Sequence, residues 1–156
     1  MLKLVRVDHR LLHGQVAFKW TRSLGTDCIL IANDGVAKDE LRKAALRMAK
    51  PEGIKMVIKN VEDSIAALNS GATDKYKLMI IVETIEDAYR LCEGVPVIKK
   101  INLGGTRVGD EKKQISLAVF VSEKDCDLLR KMNDRGIVME IQMVPNDTPQ
   151  NVMDLI

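Results

Sequence analysis

Two five-residue runs without a single polar side chain, Cys28 to Ala32 and Leu78 to Val82, constrain this chain more than any other feature. Each is far shorter than the about 18 residues needed to cross a bilayer, and each is rich in β-branched residues, so both read as strands apolar on both faces. A strand of that kind needs cover above and below, which an antiparallel sheet with one wet face does not provide. The remaining pattern supplies the cover. Leu2 to Val7, Ile54 to Ile58, Ile98 to Leu103, Ile115 to Val121 and Ile137 to Val144 read as further strands. Helical patterns fall between them at Gly14 to Leu24, Lys38 to Lys50, Val61 to Asn69, Thr84 to Cys92, and from a Ser122 cap with Asp125 to Gly136. In the second helix Leu41, Ala44, Ala45 and Met48 stand at i, i+3, i+4 and i+7, the spacing of a core-facing stripe. The tail from Pro145 reads as a mobile end. Alternating strands and helices predict a three-layer α/β/α fold with a mostly parallel central sheet.

At 156 residues the chain is read as a single domain, 1 to 156, since two of ordinary size would not fit. Its 24 basic and 22 acidic residues are interleaved and only five side chains are aromatic, which excludes a dedicated nucleic-acid binder. Cys28, Cys92 and Cys126 form no C-x-x-C pair and suggest buried thiols in a reducing cytoplasm. The start of the sequence carries charge and reads as a strand, so a membrane role would act through partners.

In an open parallel sheet the chemistry collects in loops outside the carboxyl ends of the strands. Four loops meet that description: Asp8 to His13, Asn33 to Val36, the turn near Glu83, and Asn102 to Gly105. The first holds both histidines of the chain, His9 and His13, beside Asp8 and Arg10. A neutral imidazole at this place can attack phosphorus. Once modified it needs donors for the new oxygens, which Arg10 and the free amides of the following helix would supply. His13 is the better nucleophile because Gly14 follows it at the helix start and lets the backbone approach a ligand. Asp8 would fix the ring tautomer or Arg10. Three other readings stay open at this level: a receiver domain, disfavoured by Lys59-Asn60 where an acceptor aspartate belongs; a metal site on His9 and His13, with no third ligand beyond Asp8; and an anion binder that is never covalently modified. Trp20 and Phe18 read as packing groups, and the methionines as gap-filling core.

The run Arg6-Val7-Asp8-His9-Arg10-Leu11-Leu12-His13-Gly14-Gln15-Val16 resembles the phosphorylation loop of the IIB subunits of the mannose/fructose/sorbose family of the bacterial phosphoenolpyruvate-dependent sugar phosphotransferase system. Ala32-Asn33-Asp34, Ile101 to Gly105, Lys113-Gln114-Ile115 and Glu140 to Pro145 are similar to that family in the same order. The resemblance implies a cytoplasmic carrier that takes a phosphoryl group from a phosphohistidine on a IIA partner. It passes the group to a sugar held by the membrane IIC and IID subunits. Carried over residue by residue, His13 is the phosphorylated residue through Nδ1 and Arg10 stabilises the phosphoryl group. Asp8, His9, Gly14, Gln15, Asn33 and Asp34 form the shell, and Gly104 and Gly105 offer backbone amides. The chemistry calls for no metal and no cofactor. The basic residues Lys38, Arg42, Lys43 and Arg47 are one candidate docking surface, and association into a homo-oligomer is possible. Two positions depart from the family: His9 stands where a second aspartate is common, and Thr106 where a hydrophobic residue is common.

Overall fold

The computed structural model describes all 156 residues. Its central sheet contains β1 (Leu2–Asp8), β2 (Cys28–Ala32), β3 (Lys55–Lys59), β4 (Leu78–Val82), β5 (Lys100–Gly105), β8 (Val138–Ile141) and β9 (Gln150–Asn151) in the order β3-β2-β4-β1-β5-β8-β9. Every neighbouring pair is parallel except β8 and β9. Five helices cover it: α1 (Gly14–Leu24), α2 (Glu40–Ala49), α3 (Val61–Asn69), α4 (Ile85–Gly94) and α5 (Glu123–Asp134). The predicted three-layer α/β/α architecture is what the chain forms.

The alternation of side chains along each apolar strand divides the core in two. Ile29, Ile31, Met79 and Ile81 point to one face, where they meet Ala17 and Trp20 of α1 and Leu46 of α2. Cys28, Leu30, Leu78, Ile80 and Val82 point to the other, against Ala88 and Leu91 of α4 and Leu128, Leu129 and Met132 of α5. The strands therefore have to be apolar throughout. β1 leads to α1 on the first face, whereas the adjacent β4 leads to α4 on the second. The chain thus parts in opposite directions beyond the carboxyl ends of β1 and β4, and an open crevice forms at that switch point. Asp8 and Glu83 stand at its two sides.

Several predicted elements change. The Leu41, Ala44, Ala45 and Met48 stripe does not face the core: Leu41 is 81% and Met48 89% exposed, and Leu46 is the buried residue of α2. The reason lies upstream. Asn33 Oδ1 accepts from the Val36 amide at 2.8 Å and closes a single 3₁₀ turn, Val36–Lys38, that plugs Val36 into the core. Asp39 then caps α2 through the Arg42 amide. This fixed entry rotates the helix so that Leu46 points inward. Phe18, read as a packing group, is 46% exposed. The single strand predicted over Ile115 to Val121 is instead a small antiparallel hairpin of β6 (Lys113–Gln114) and β7 (Phe120–Val121), separate from the main sheet. The tail is docked, since β9 pairs with β8 and Val152 is fully buried. The strand over Ile137 to Val144 shortens to β8, and the one ending at Leu103 runs on to Gly105.

Candidate active site

Asp8, the last residue of β1, is 1% exposed, and its carboxylate organises the surrounding loop. Oδ2 lies 2.9 Å from His13 Nε2 and accepts from Arg6 Nη2 at 3.3 Å. Oδ1 accepts from the Arg10 amide at 3.0 Å. Burial by itself would raise this carboxyl. The His13 hydrogen bond, the Arg10 amide and the Arg6 charge outweigh it and hold the group below the ordinary carboxylate range. Asp8 is thus an anion that can only accept, so the proton between it and His13 rides on Nε2. In the neutral ring this leaves the lone pair on Nδ1.

The loop carrying the ring is tightly wound. The Leu11 amide donates to the Asp8 carbonyl at 2.8 Å, and Leu11 takes the left-handed conformation at φ 58°, the one non-glycine residue of the chain to do so. Such a conformation costs a bulky residue about 1–2 kcal/mol. Burial of the Leu11 and Leu12 side chains, both 3% exposed, offsets that cost. The two leucines are anchors that swing His13 back over Asp8. His13 itself is the N-cap of α1, uses no side-chain capping bond, and is 23% exposed. The first turn of α1 carries no acidic residue, so no carboxylate of the helix compensates its unpaired amides. Gly14 opens the helix at φ 38°, which favours glycine.

Beneath Asp8 lies a residue that the loop sequence did not single out. Arg6 is buried, donates from Nη1 to Asn102 Oδ1 at 2.6 Å and to the Gln142 carbonyl at 3.0 Å, and sits 5.5 Å from the Trp20 ring centroid. Burial pulls its guanidinium pKa down while Asp8 supports the charge. Gly104 exists for this side chain: a methyl group built there would overlap the guanidinium. The β1–β5 register shifts at this point, with Val7 opposite Leu103 and Asp8 opposite Gly105, so Gly104 is the extra residue of a bulge. Gly104, expected to offer its backbone amide, thus also makes room for Arg6. Charge alternation in Arg6-Val7-Asp8 was the available signal for Arg6, because two charged residues on one face of a central strand have to pair.

The other expected shell residues divide. Asn33, 3% exposed, donates to Glu83 Oε2 at 2.9 Å and so joins the ends of β2 and β4. Glu83 also receives Arg107 at 3.2 Å and Arg42 at 3.6 Å. Burial opposes ionisation of Glu83, but the bonds from Asn33 and Arg107 and the two guanidinium charges hold its carboxyl below the usual range. Arg42 and Arg107 at this rim were not anticipated as site residues. Asp34 is turned away, bonded to Arg90 at 2.9 Å and to the Val61 amide at 3.0 Å. Gln15 is exposed on α1. Arg10, with 55% of its side chain exposed, reaches over the mouth with Nε 3.9 Å from Asp8 Oδ1.

His9 does not join His13. Its amide donates to the Gly105 carbonyl at 3.1 Å, and its buried Nδ1 has no hydrogen-bond partner. No group of three or more His, Cys, Asp or Glu side chains is placed to hold a metal ion. Thr106, the second departure, has a structural account. Its hydroxyl donates to the Phe120 carbonyl and accepts from the Phe120 amide, both at 2.7 Å, and so staples the hairpin to β5 as no hydrocarbon could.

Against known proteins this architecture is familiar. A sequence model described as the sorbose subfamily IIB component of the phosphotransferase system matches residues 2–156. The chain belongs to that family. It is 35% identical over 156 residues to the mannose-specific EIIAB component of Escherichia coli K12, covering all of this chain and 48% of that protein, so it spans about half the length of that relative. The fructose-specific EIIB component of Bacillus subtilis is 30% identical over 154 residues, covering 98% of this chain and 94% of its own. Among solved structures, the IIB domain of the sorbose permease of Klebsiella pneumoniae superposes with a TM-score of 0.93 at 28% identity, over 99% of this chain and 94% of that one. An N-acetylgalactosamine-specific IIB component of Escherichia coli gives 0.90 at 30% identity, over 96% and 98%. No helix is long and apolar enough to cross a membrane.

Proposed function

We propose that this IIB chain is a phosphohistidine sugar phosphotransferase component that works in the cytoplasm. It accepts a phosphoryl group on His13 Nδ1 from a phosphohistidine IIA partner and gives it to a sugar presented by membrane IIC and IID subunits. The observation that carries the proposal is the 2.9 Å contact between Asp8 Oδ2 and His13 Nε2. Because the carboxylate can only accept, it fixes the tautomer that keeps the Nδ1 lone pair of the neutral ring for attack. As the new N–P bond forms, the donor's N–P bond breaks. The dianion comes to rest at the amide end of α1, with Arg10 free to close over it through charge-assisted hydrogen bonds. Asp8 is a positioning residue in this scheme, and Arg6 positions Asp8. Asn33, Arg42 and Arg107 gather on Glu83 at the end of the neighbouring β4, while the His9 amide ties the loop to Gly105 of β5.

Intact-protein mass spectrometry tests the reading. The chain is incubated with phosphoenolpyruvate, the general phosphotransferase proteins and IIA proteins of this family. One acid-labile, base-stable phosphoryl group that persists in His9→Ala and vanishes in His13→Ala is the expected result. Absence of modification with every IIA donor refutes the carrier role and leaves an anion-binding protein; loss confined to His9→Ala moves the nucleophile.

A further inference from the structure

The exposed face of α1 continues from the site into a groove that phosphoryl chemistry at His13 does not use. Phe18, Lys19, Arg22 and Ser23 of α1 form one wall of it, and all four are exposed. Opposite them the segment after β8 contributes Val144, Pro145 and Asn146, enclosing a groove of about 350 Å³. Its two walls are joined. Trp20 Nε1 donates to the Met143 carbonyl at 2.9 Å, and Gln142 Nε2 donates to the carbonyls of Pro145 and Asp147 at 3.1 and 3.0 Å. The same Gln142 accepts Arg6 through its own carbonyl, so the groove and the Asp8–His13 pair share one rigid support.

The charge within the groove is unspent. Neither Lys19 nor Arg22 takes part in any ion pair of the molecule. Arg22 stacks 5.8 Å from the centroid of the exposed Phe18 ring. Asp147, the carboxylate in the facing segment, is turned back onto the Val144 amide at 3.3 Å. An apolar ring with two cations free of ion pairs, beside a proline and a valine, is a site for an acidic protein surface with an apolar projection.

Resting on the carrier role proposed above, we infer that this groove docks the phosphorylated IIA donor. Charge decides between the two partners that must visit His13. The donor arrives with a phosphoryl dianion on its docking face, whereas the acceptor presents a neutral sugar. At about 1.5 Å of rise per residue, Lys19 and Arg22 lie about 9 and 14 Å along α1 from His13. That is one to two Debye lengths at physiological salt, about 8 Å each, so their pull on the donor's dianion is attenuated there and strengthens as salt is lowered. The transfer then moves the dianion onto this chain, and the attraction that recruited the donor weakens as its charge departs. The groove both recruits the loaded donor and lets the spent one go.

The test measures initial rates of His13 phosphorylation against the concentration of phosphorylated IIA proteins of this family. For Lys19→Glu/Arg22→Glu the expected result is a KM raised tenfold or more, a kcat within twofold of wild type and a flattened salt dependence. Lys19→Gln/Arg22→Gln falls between, and Phe18→Ala raises KM about threefold. Lys131→Glu, on the opposite helical layer, leaves KM unchanged. Transfer from the pre-phosphorylated chain to sugar on vesicles carrying IIC and IID stays within twofold. A KM within twofold of wild type in the double reversal, or equal losses in both half-reactions, overturns the groove while the carrier role stands. A wild-type chain that takes up no phosphoryl group overturns both.

Discussion

Replacing Gly104 by alanine, with Gly105→Ala as its neighbour control, tests whether a buried arginine holds the active loop. Neither glycine has a positive φ, so the backbone admits alanine at both positions and only space distinguishes them. At Gly105 the new methyl would sit 3.6 Å from the Ala118 carbonyl and from His9 Nδ1, ordinary contact distances. At Gly104 it would occupy the place of the Arg6 guanidinium. To clear it, Arg6 has to release Asn102, the Gln142 carbonyl and Asp8, and it has no route to water from its buried position. Breaking a buried ion pair costs about 3–5 kcal/mol, because a desolvated charge is left without a partner. With a urea m-value of about 2 kcal/mol/M, a loss of about 4 kcal/mol moves the unfolding midpoint down by about 2 M. Gly105→Ala holds its midpoint or gains up to about 1 kcal/mol from reduced unfolded-state freedom. Equilibrium urea unfolding followed by circular dichroism makes the comparison. Equal midpoints for the two variants would refute the account of Gly104 as space for Arg6.

Three further outcomes follow from the same geometry. Asp8→Asn should lower the rate of His13 phosphorylation by up to about 10⁴-fold, the cost of turning the carboxylate that fixes a catalytic imidazole's tautomer into an amide; a rate within threefold, in a variant with a wild-type circular dichroism spectrum, would count against the tautomer role. The carboxyls of Asp8 and Glu83 are both held below their unfolded values, so the unfolded state binds more protons in acid. Their contribution is therefore complete above about pH 5 and lost as pH falls through the native values. Urea midpoints between pH 7 and 3 should drop more steeply for wild type than for Asp8→Asn, and parallel curves would remove Asp8 from that effect. On α2, Leu41→Lys and Met48→Lys should each change stability by less than about 0.5 kcal/mol, whereas Leu46→Ala should cost about 2–4 kcal/mol; the reverse ranking in thermal unfolding would mean that the helix packs through its other face.

The linear sequence determined a good deal of this protein. Runs such as Cys28–Ala32 and Leu78–Val82 require cover on both sides, and with helical patterns between them they admit little besides a parallel sheet between two helical layers. That sheet in turn directed attention to the strand ends, and local composition pointed to Asp8, Arg10 and His13 as the candidate site. Tertiary structure decided what distance along the chain concealed. Leu41 and Met48 have helical spacing yet lie in solvent, because the Asn33–Val36 turn sets how α2 enters the sheet, and a periodicity fixes an apolar stripe without fixing which way it faces. Arg6 and Gly104 are 98 positions apart in the sequence. Only the pairing of β1 with β5 brings the guanidinium over the glycine and beneath Asp8. The same holds for Arg42 and Arg107 on Glu83, and for Trp20 on the Met143 carbonyl. Periodicity and loop chemistry are short-range properties that a sequence displays directly; the partner of a buried charge is chosen by strand order and register, which come into being only when the chain folds.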